Sequence, residues 1–232
     1  MRDRTFRHSY IAAWLLAVLL GNGMGAARAD EPAATAPSPQ PATPAAAATP
    51  APAAPAVRVQ LHTAQGDIVL ALDPVHAPVT TANFLHYVDQ KRFDGAQFYR
   101  AVTIGDDGQY GLLQGGLYGT RLQQFKPIAH EAPAVTGLHH ADGAISMARG
   151  EPGTAQSEFF IDVGDMPEYD GSGDDPGYAV FGRVESGMDV VKQILAMPRA
   201  DDAGGAAFHG QMLAAPVKII SARRVVAPVK PF

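Results

Sequence analysis

From Val57 onward the apolar and polar positions alternate in ways that name the elements. Val57–Arg58–Val59–Gln60–Leu61 steps between apolar and polar, the period-two pattern of a half-buried strand. Ala64–Gln65–Gly66–Asp67 reads as a turn and Ile68–Val69–Leu70–Ala71–Leu72 as a second strand, so the pair predicts a hairpin. Pro78 opens a helix that runs to about Asp89, with Thr80 or Thr81 near its start and Val79, Ala82, Leu85 and Val88 as the expected buried stripe. Short apolar runs follow at 97–103, 112–114, 144–148, 159–163, 179–184 and 217–226, separated by glycine-rich turns. Residues 187–195 predict a second helix, with Met188, Val191 and Leu195 on one face. Many short strands with two helices point to a mainly β chain that closes into an antiparallel barrel capped at its ends.

The first 56 residues follow other rules. Arg2, Arg4, Arg7 and His8 form a basic start, residues 10–20 an apolar core, and Ala27–Arg28–Ala29 a small-x-small cleavage site. That pattern predicts a signal peptide over 1–29, cleaved after Ala29. Its apolar run is too short for the roughly 20 residues of a bilayer span, so no stable membrane insertion is expected after cleavage. The sequence holds no cysteine, which excludes disulfides and a lipoprotein anchor, and no Arg–Arg pair precedes the apolar core. Residues 30–56 are almost entirely Ala, Pro and Thr; they cannot bury a core and read as a disordered, semi-extended linker.

Charge narrows the partners. Removing 1–29 takes away four Arg and one Asp and moves the formal net charge from −5 to −8. A net-acidic domain whose remaining basic residues are scattered is a poor match to nucleic acid.

The chemistry is concentrated in a few blocks: Phe98–Tyr99–Arg100, Gln114–Gly115–Gly116, Gly143–Ala144–Ile145–Ser146–Met147–Ala148–Arg149, Ser157–Glu158–Phe159–Phe160–Ile161 and Tyr178–Ala179–Val180–Phe181–Gly182. Taken singly, Arg100 reads as a surface arginine at a strand end, Gln114 as a turn residue beside two glycines, and Phe159–Phe160 as two core residues. Taken together, in this order and spacing, the blocks resemble a cyclophilin, a peptidyl-prolyl cis-trans isomerase of the bacterial periplasmic type, over almost all of 57–226. The resemblance sets the domain at 57–229 and implies a closed eight-stranded antiparallel β-barrel with a helix over each opening. It also implies catalysis without cofactor or metal, proline-containing exported polypeptides as partners, a monomer, and a periplasmic location with secretion as the other destination.

Residue by residue, the resemblance makes Arg100 the catalytic donor and gives Gln114 the role of orienting Arg100 or hydrogen-bonding the substrate backbone. Phe160 becomes the floor of the proline site, and Leu112 fits the neighbouring apolar wall, where the family commonly has Met. Ala148 and Arg149 fit the stretch that pairs with an extended substrate, and Tyr178 stands where periplasmic bacterial members have Tyr. Four positions depart from the family pattern. The loop between Arg100 and Gln114 is long, so the family's pocket Phe falls on Gly111, with Tyr110 beside it as the candidate substitute. Glu158 replaces a usual Gln and is placed to pair with Arg100 or compete for it. Arg149 replaces a usual Asn. Glu168 falls on the family's Trp or Phe, with Tyr169 adjacent as a further binding residue. Reduced activity and weak cyclosporin sensitivity are the expectations.

Two other readings compete. A catalytically weak module of the same fold would bind proline-containing segments as a chaperone or scaffold. A metal or hydrolytic enzyme would use His130–Glu131, His139–His140 or His209, but their spacing matches no two-His helical motif. Asp170–Gly171–Ser172–Gly173–Asp174–Asp175 has Asp175 where a calcium loop needs glycine and Phe181 where it needs an acid, so it reads as a flexible acidic loop. Ser146 and Ser157 lack a nucleophile-elbow context. Residues 197–210 carry no readable role.

Overall fold

The hairpin at the start of the domain is β1 (Val57–Thr63) paired with β2 (Gly66–Leu72), in register from Val57 opposite Leu72 to Thr63 opposite Gly66. This is a computed structural model that describes residues 56–105, 110–119, 124–201 and 203–225. The signal peptide expected at 1–29 lies outside the described residues, as do all but the last residue of the linker expected at 30–56 and the domain end at 226–229. Further on come β3 (Gln97–Ile104), β4 (Tyr110–Gly116), β5 (Ala144–Met147), β6 (Phe159–Val163), β7 (Ala179–Ser186), β8 (Arg199–Ala200) and β9 (Met212–Val225). Neighbours run β1-β2-β7-β5-β6-β4-β3-β9, every pair antiparallel, and β9 returns to pair with β1. Eight strands therefore close on themselves, which leaves no free edge in the ring. The two-residue β8, unexpected from sequence, hangs on β9 outside it.

Two helices complete the interior: α1 (Pro78–Asp89) and α3 (Met188–Leu195), with the single turn α2 (Pro133–Thr136) between them. Val191, Ile194 and Leu195 of α3 join the barrel's core cluster, as do Phe84, Leu85, Tyr87 and Val88 of α1. The expected stripe on α1 is corrected at two positions. Val79 is 41% exposed and Ala82 is also on the surface, because the aromatic pair Phe84 and Tyr87 sets which face turns inward. Neither Thr80 nor Thr81 caps the helix. The carboxylate of Glu131 instead accepts from the backbone N–H groups of Val79 (3.0 Å) and Thr80 (2.7 Å), two donors that a helix start leaves without partners.

Strand alternation sorts β6 cleanly. Phe159, Ile161 and Val163 point into the core, where Phe159 meets Phe84, Phe93 and Phe98 edge-on; Phe160 and Asp162 take the opposite face. On β4, Leu113 faces the core while Leu112 and Gln114 share the outer face.

Candidate functional site

A bulge places the key arginine. Phe98 pairs with Gly115 and Arg100 with Gln114, so Tyr99 is an extra residue in β3. Residues two apart on a regular strand share a face, which would drive Arg100 into the core beside Phe98. The bulge breaks that rule: Phe98 stays in the core cluster and Arg100 emerges on the outer face. From there the register carries straight across the barrel wall, with Arg100 opposite Gln114, Gln114 opposite Phe160, and Phe160 opposite Ser146. Residues 46 positions apart in number are thus set side by side by strand pairing alone.

The polar end of this row is a directed chain of hydrogen bonds. Arg100 Nη1 donates to Gln114 Oε1 (2.7 Å), Gln114 Nε2 donates to the Tyr99 hydroxyl (2.7 Å), and that hydroxyl donates to Glu158 Oε2 (2.5 Å). On the other side, Arg100 Nε and Nη2 both donate to Gln211 Oε1, at 2.8 and 2.6 Å. Phe208 lies against the guanidinium, its ring centre 4.8 Å from Cζ. Burial lowers the Arg100 pKa, yet a guanidinium remains charged at any working pH. Burial, reinforced by Glu158, pushes the Tyr99 phenol up, which keeps it a donor. Burial also raises the Glu158 carboxyl, against hydrogen bonds from Tyr99, Ser157 and the Leu117 backbone. The glycines after Gln114 make room: a Cβ on Gly115 would come within 2.8 Å of the Phe98 ring. One on Gly116, whose φ is +141°, would meet the Glu158 carboxylate at 2.7 Å.

The other end of the row is aromatic. Phe160, 3% exposed, meets Tyr169 at 5.9 Å and Tyr178 at 5.4 Å, both edge-to-face, and the His140 ring lies parallel to it at 6.0 Å. Tyr169 sits on a 3₁₀ turn (Pro167–Asp170), while Glu168 on the same turn is exposed. His140 Nδ1 contacts Asp170 Oδ1 at 2.7 Å and its Nε2 contacts Ser146 Oγ at 2.8 Å. Hydrogen bonds from His140 and His139 outweigh burial and hold Asp170 low, so the carboxylate accepts from Nδ1–H and Nε2 accepts from the serine. Burial lowers the His140 pKa and keeps the ring neutral. The connectivity is that of a Ser–His–Asp triad, but Ser146 is fully buried in mid-strand with no path to a substrate. It ties the Tyr169 turn to the floor under Phe160. Two residues along from Phe160, Asp162 is fully buried, its carboxylate oxygens have no hydrogen-bond partner among the described residues, and burial pushes its pKa up to about 8.

The comparisons with known proteins agree with this geometry. The family model "Cyclophilin type peptidyl-prolyl cis-trans isomerase/CLD" matches residues 58–223. The chain belongs to the cyclophilins. A peptidyl-prolyl cis-trans isomerase of Streptomyces antibioticus is 36% identical over 71% of this chain and 96% of its own length. Peptidyl-prolyl cis-trans isomerase B of Escherichia coli is 35% identical over 59% of this chain and 82% of its own length. A cyclophilin-type isomerase of Cryptosporidium parvum has the same fold, with a TM-score of 0.60 at 19% identity, covering 75% of this chain and 99% of that one.

Set against the cyclophilin pattern, the departures have physical answers. Gly111 points inward, where a Cβ would lie 2.1 Å from the Val102 carbonyl oxygen, whereas Tyr110 shares the outer face with Leu112 and Gln114. Glu158 makes no direct contact with Arg100; it acts through Tyr99 and Gln114. Arg149 is engaged by its own neighbours: its Nη2 donates to the Gly177 carbonyl at 2.5 Å, its Nη1 to the Gly150 carbonyl, and Cζ lies 5.0 Å from the Tyr178 ring centre. Ala148 spends its N–H on the Glu158 carbonyl, and Leu112 lies opposite Asp162 on the outer face. The acidic 170–175 loop is closed by a turn bond from Asp175 N–H to the Ser172 carbonyl, and Asp170 is engaged by both histidines. Among the described residues no group of three His, Asp or Glu side chains is placed to hold a metal. Sequence reading gave no role to Gln211, Phe208 or Tyr99, although Tyr99 lies inside a motif block, and it weighed His140 and Glu131 only as metal ligands.

Proposed function

We propose that the domain accelerates cis–trans rotation about X–Pro bonds in exported polypeptides, with Arg100 stabilising the twisted amide. Twisting such a bond breaks amide resonance at a cost of about 18–20 kcal/mol, and unassisted it takes tens of seconds. As conjugation is lost the proline nitrogen becomes pyramidal and basic, so a fixed donor favours the transition state over both planar forms. A gain of roughly 10⁴–10⁵-fold needs about 5–7 kcal/mol of such preference. The supporting observation is the register row from Arg100 through Gln114 to Phe160, which sets a charged donor beside an apolar platform. With three N–H groups of Arg100 engaged, one on each Nη is left for a substrate. Tyr169 and Tyr178 are half-buried over Phe160 and must part to admit a proline ring.

Tyr169 and the Glu158–Tyr99 pair supply what the departures removed, so turnover falls less than four changes would suggest. The export signal read in residues 1–29 supports the periplasm as the proposed location. The test is turnover of a short Ala–Pro peptide by the mature protein beside Arg100→Ala. A rate well above background that drops in the variant supports the reading. Equal, near-background rates would favour the module that holds proline segments without turning them over.

A further inference from the structure

We propose that Gln211 and Phe208, on the segment between α3 and β9, are positioning residues that lock Arg100 for isomerisation; this rests on the catalytic reading of Arg100. An arginine side chain has many rotamers to lose, and a donor misplaced by about 1 Å can lose 10²-fold in rate. The Gln114 bond fixes only one corner of the guanidinium, at Nη1. Gln211 Oε1 takes the opposite edge, accepting from Nε at 2.8 Å and Nη2 at 2.6 Å, which fixes the plane. The Phe208 ring, 4.8 Å from Cζ, closes one face.

The two residues form one unit. Phe208 ends a 3₁₀ turn (Ala206–Phe208), and its carbonyl accepts from the Gln211 N–H at 3.0 Å. The Gln211 carbonyl in turn accepts from the Ala101 N–H at 2.8 Å, and Arg100 pairs with Met212 in register. The turn is thus pinned by its backbone to β3 next to the residue its side chains hold. This gives a task to a segment in which the apolar pattern is silent.

The test measures kcat and KM for Gln211→Ala, Phe208→Ala and Gln211→Glu in the mature protein, each alone and combined with Arg100→Ala. Gln211→Ala and Phe208→Ala should each lower kcat about 3–10-fold with KM changed less than about twofold. Gln211→Glu keeps an acceptor for both N–H groups and should recover kcat to within about threefold of wild type. In the Arg100→Ala background neither alanine change should slow the reaction further, which a merely structural role would not produce. If Arg100→Ala is slow but Gln211→Ala turns over like wild type, the positioning role is wrong while the catalytic reading stands. If Gln211→Ala costs the same with and without Arg100, the residue acts elsewhere and the proposal fails. If Arg100→Ala itself keeps the wild-type rate, both readings fall.

Discussion

At the Arg100 end of the site the side chains are held by directed hydrogen bonds, each donor assigned to one acceptor from Arg100 through Gln114 and Tyr99 to Glu158. At the Phe160 end they are held by ring packing among Phe160, Tyr169, Tyr178 and His140, with a single buried polar relay beneath. The first kind of order fixes angles and is easily broken by one wrong atom. The second fixes volume and tolerates sliding. A reaction that needs a donor aimed at one nitrogen and a surface for a variable peptide is served by both. On the proposed reading, rate belongs to the polar end and affinity to the aromatic end.

Phe160→Ala should strike the comparison hardest. It removes a nearly covered ring and should cost about 3–5 kcal/mol in denaturant unfolding, with KM raised tenfold or more in the folded fraction. A small change in KM would show that the ring is structural only. Asp162→Asn probes the same end through stability. The folded-state pKa of Asp162, about 8, stands above the unfolded value near 4, so the stability it contributes is present at acid pH and lost as pH rises toward 8. The variant should gain on wild type by about 3–4 kcal/mol between pH 5 and pH 8 in thermal melts. Parallel melting curves across that range would show that the carboxyl is not neutral in the folded protein.

The polar end should respond more gently and through rate. Protonating Glu158 frees Tyr99 from its obligation to donate, so kcat should fall on the acid side with a midpoint above the usual 4.5. Glu158→Gln should lower kcat about 3–10-fold at neutral pH and abolish that acid limb. Persistence of the limb in the variant would assign it to another group. Arg149→Ala, which frees Tyr178 and the Gly177 carbonyl, should raise KM only about 2–5-fold with kcat unchanged. An effect on kcat instead would move Arg149 to the polar end.

The barrel was legible because period-two alternation survives in strands with one buried face, as in 57–61, and because Pro78 marks a helix start by its own geometry. The α1 stripe differs because counting aliphatics ignores Phe84 and Tyr87, the largest fully buried side chains on that helix. In the site, Arg100, Gln114 and Phe160 were readable from motif blocks. What makes them a site was not. The Tyr99 bulge leaves no trace in an apolar pattern, Glu131 reaches α1 from 51 positions away, and Gln211 reaches Arg100 from 111. Long-range side-chain bonds carry no periodicity, so a segment such as 197–210 looks empty until the fold closes around it. The one-position offset between Glu168 and Tyr169 has the same origin: a 3₁₀ turn presents the ring that equal spacing would have placed elsewhere.

The measurement that tests the division most directly is kcat and KM, separately, for Arg100→Ala and Phe160→Ala on one Ala–Pro peptide. Arg100→Ala should lower kcat about 10²–10³-fold with KM within about threefold of wild type, and Phe160→Ala should raise KM more than it lowers kcat. If both variants change the two constants in the same proportion, the two ends do not divide the work and the account is wrong.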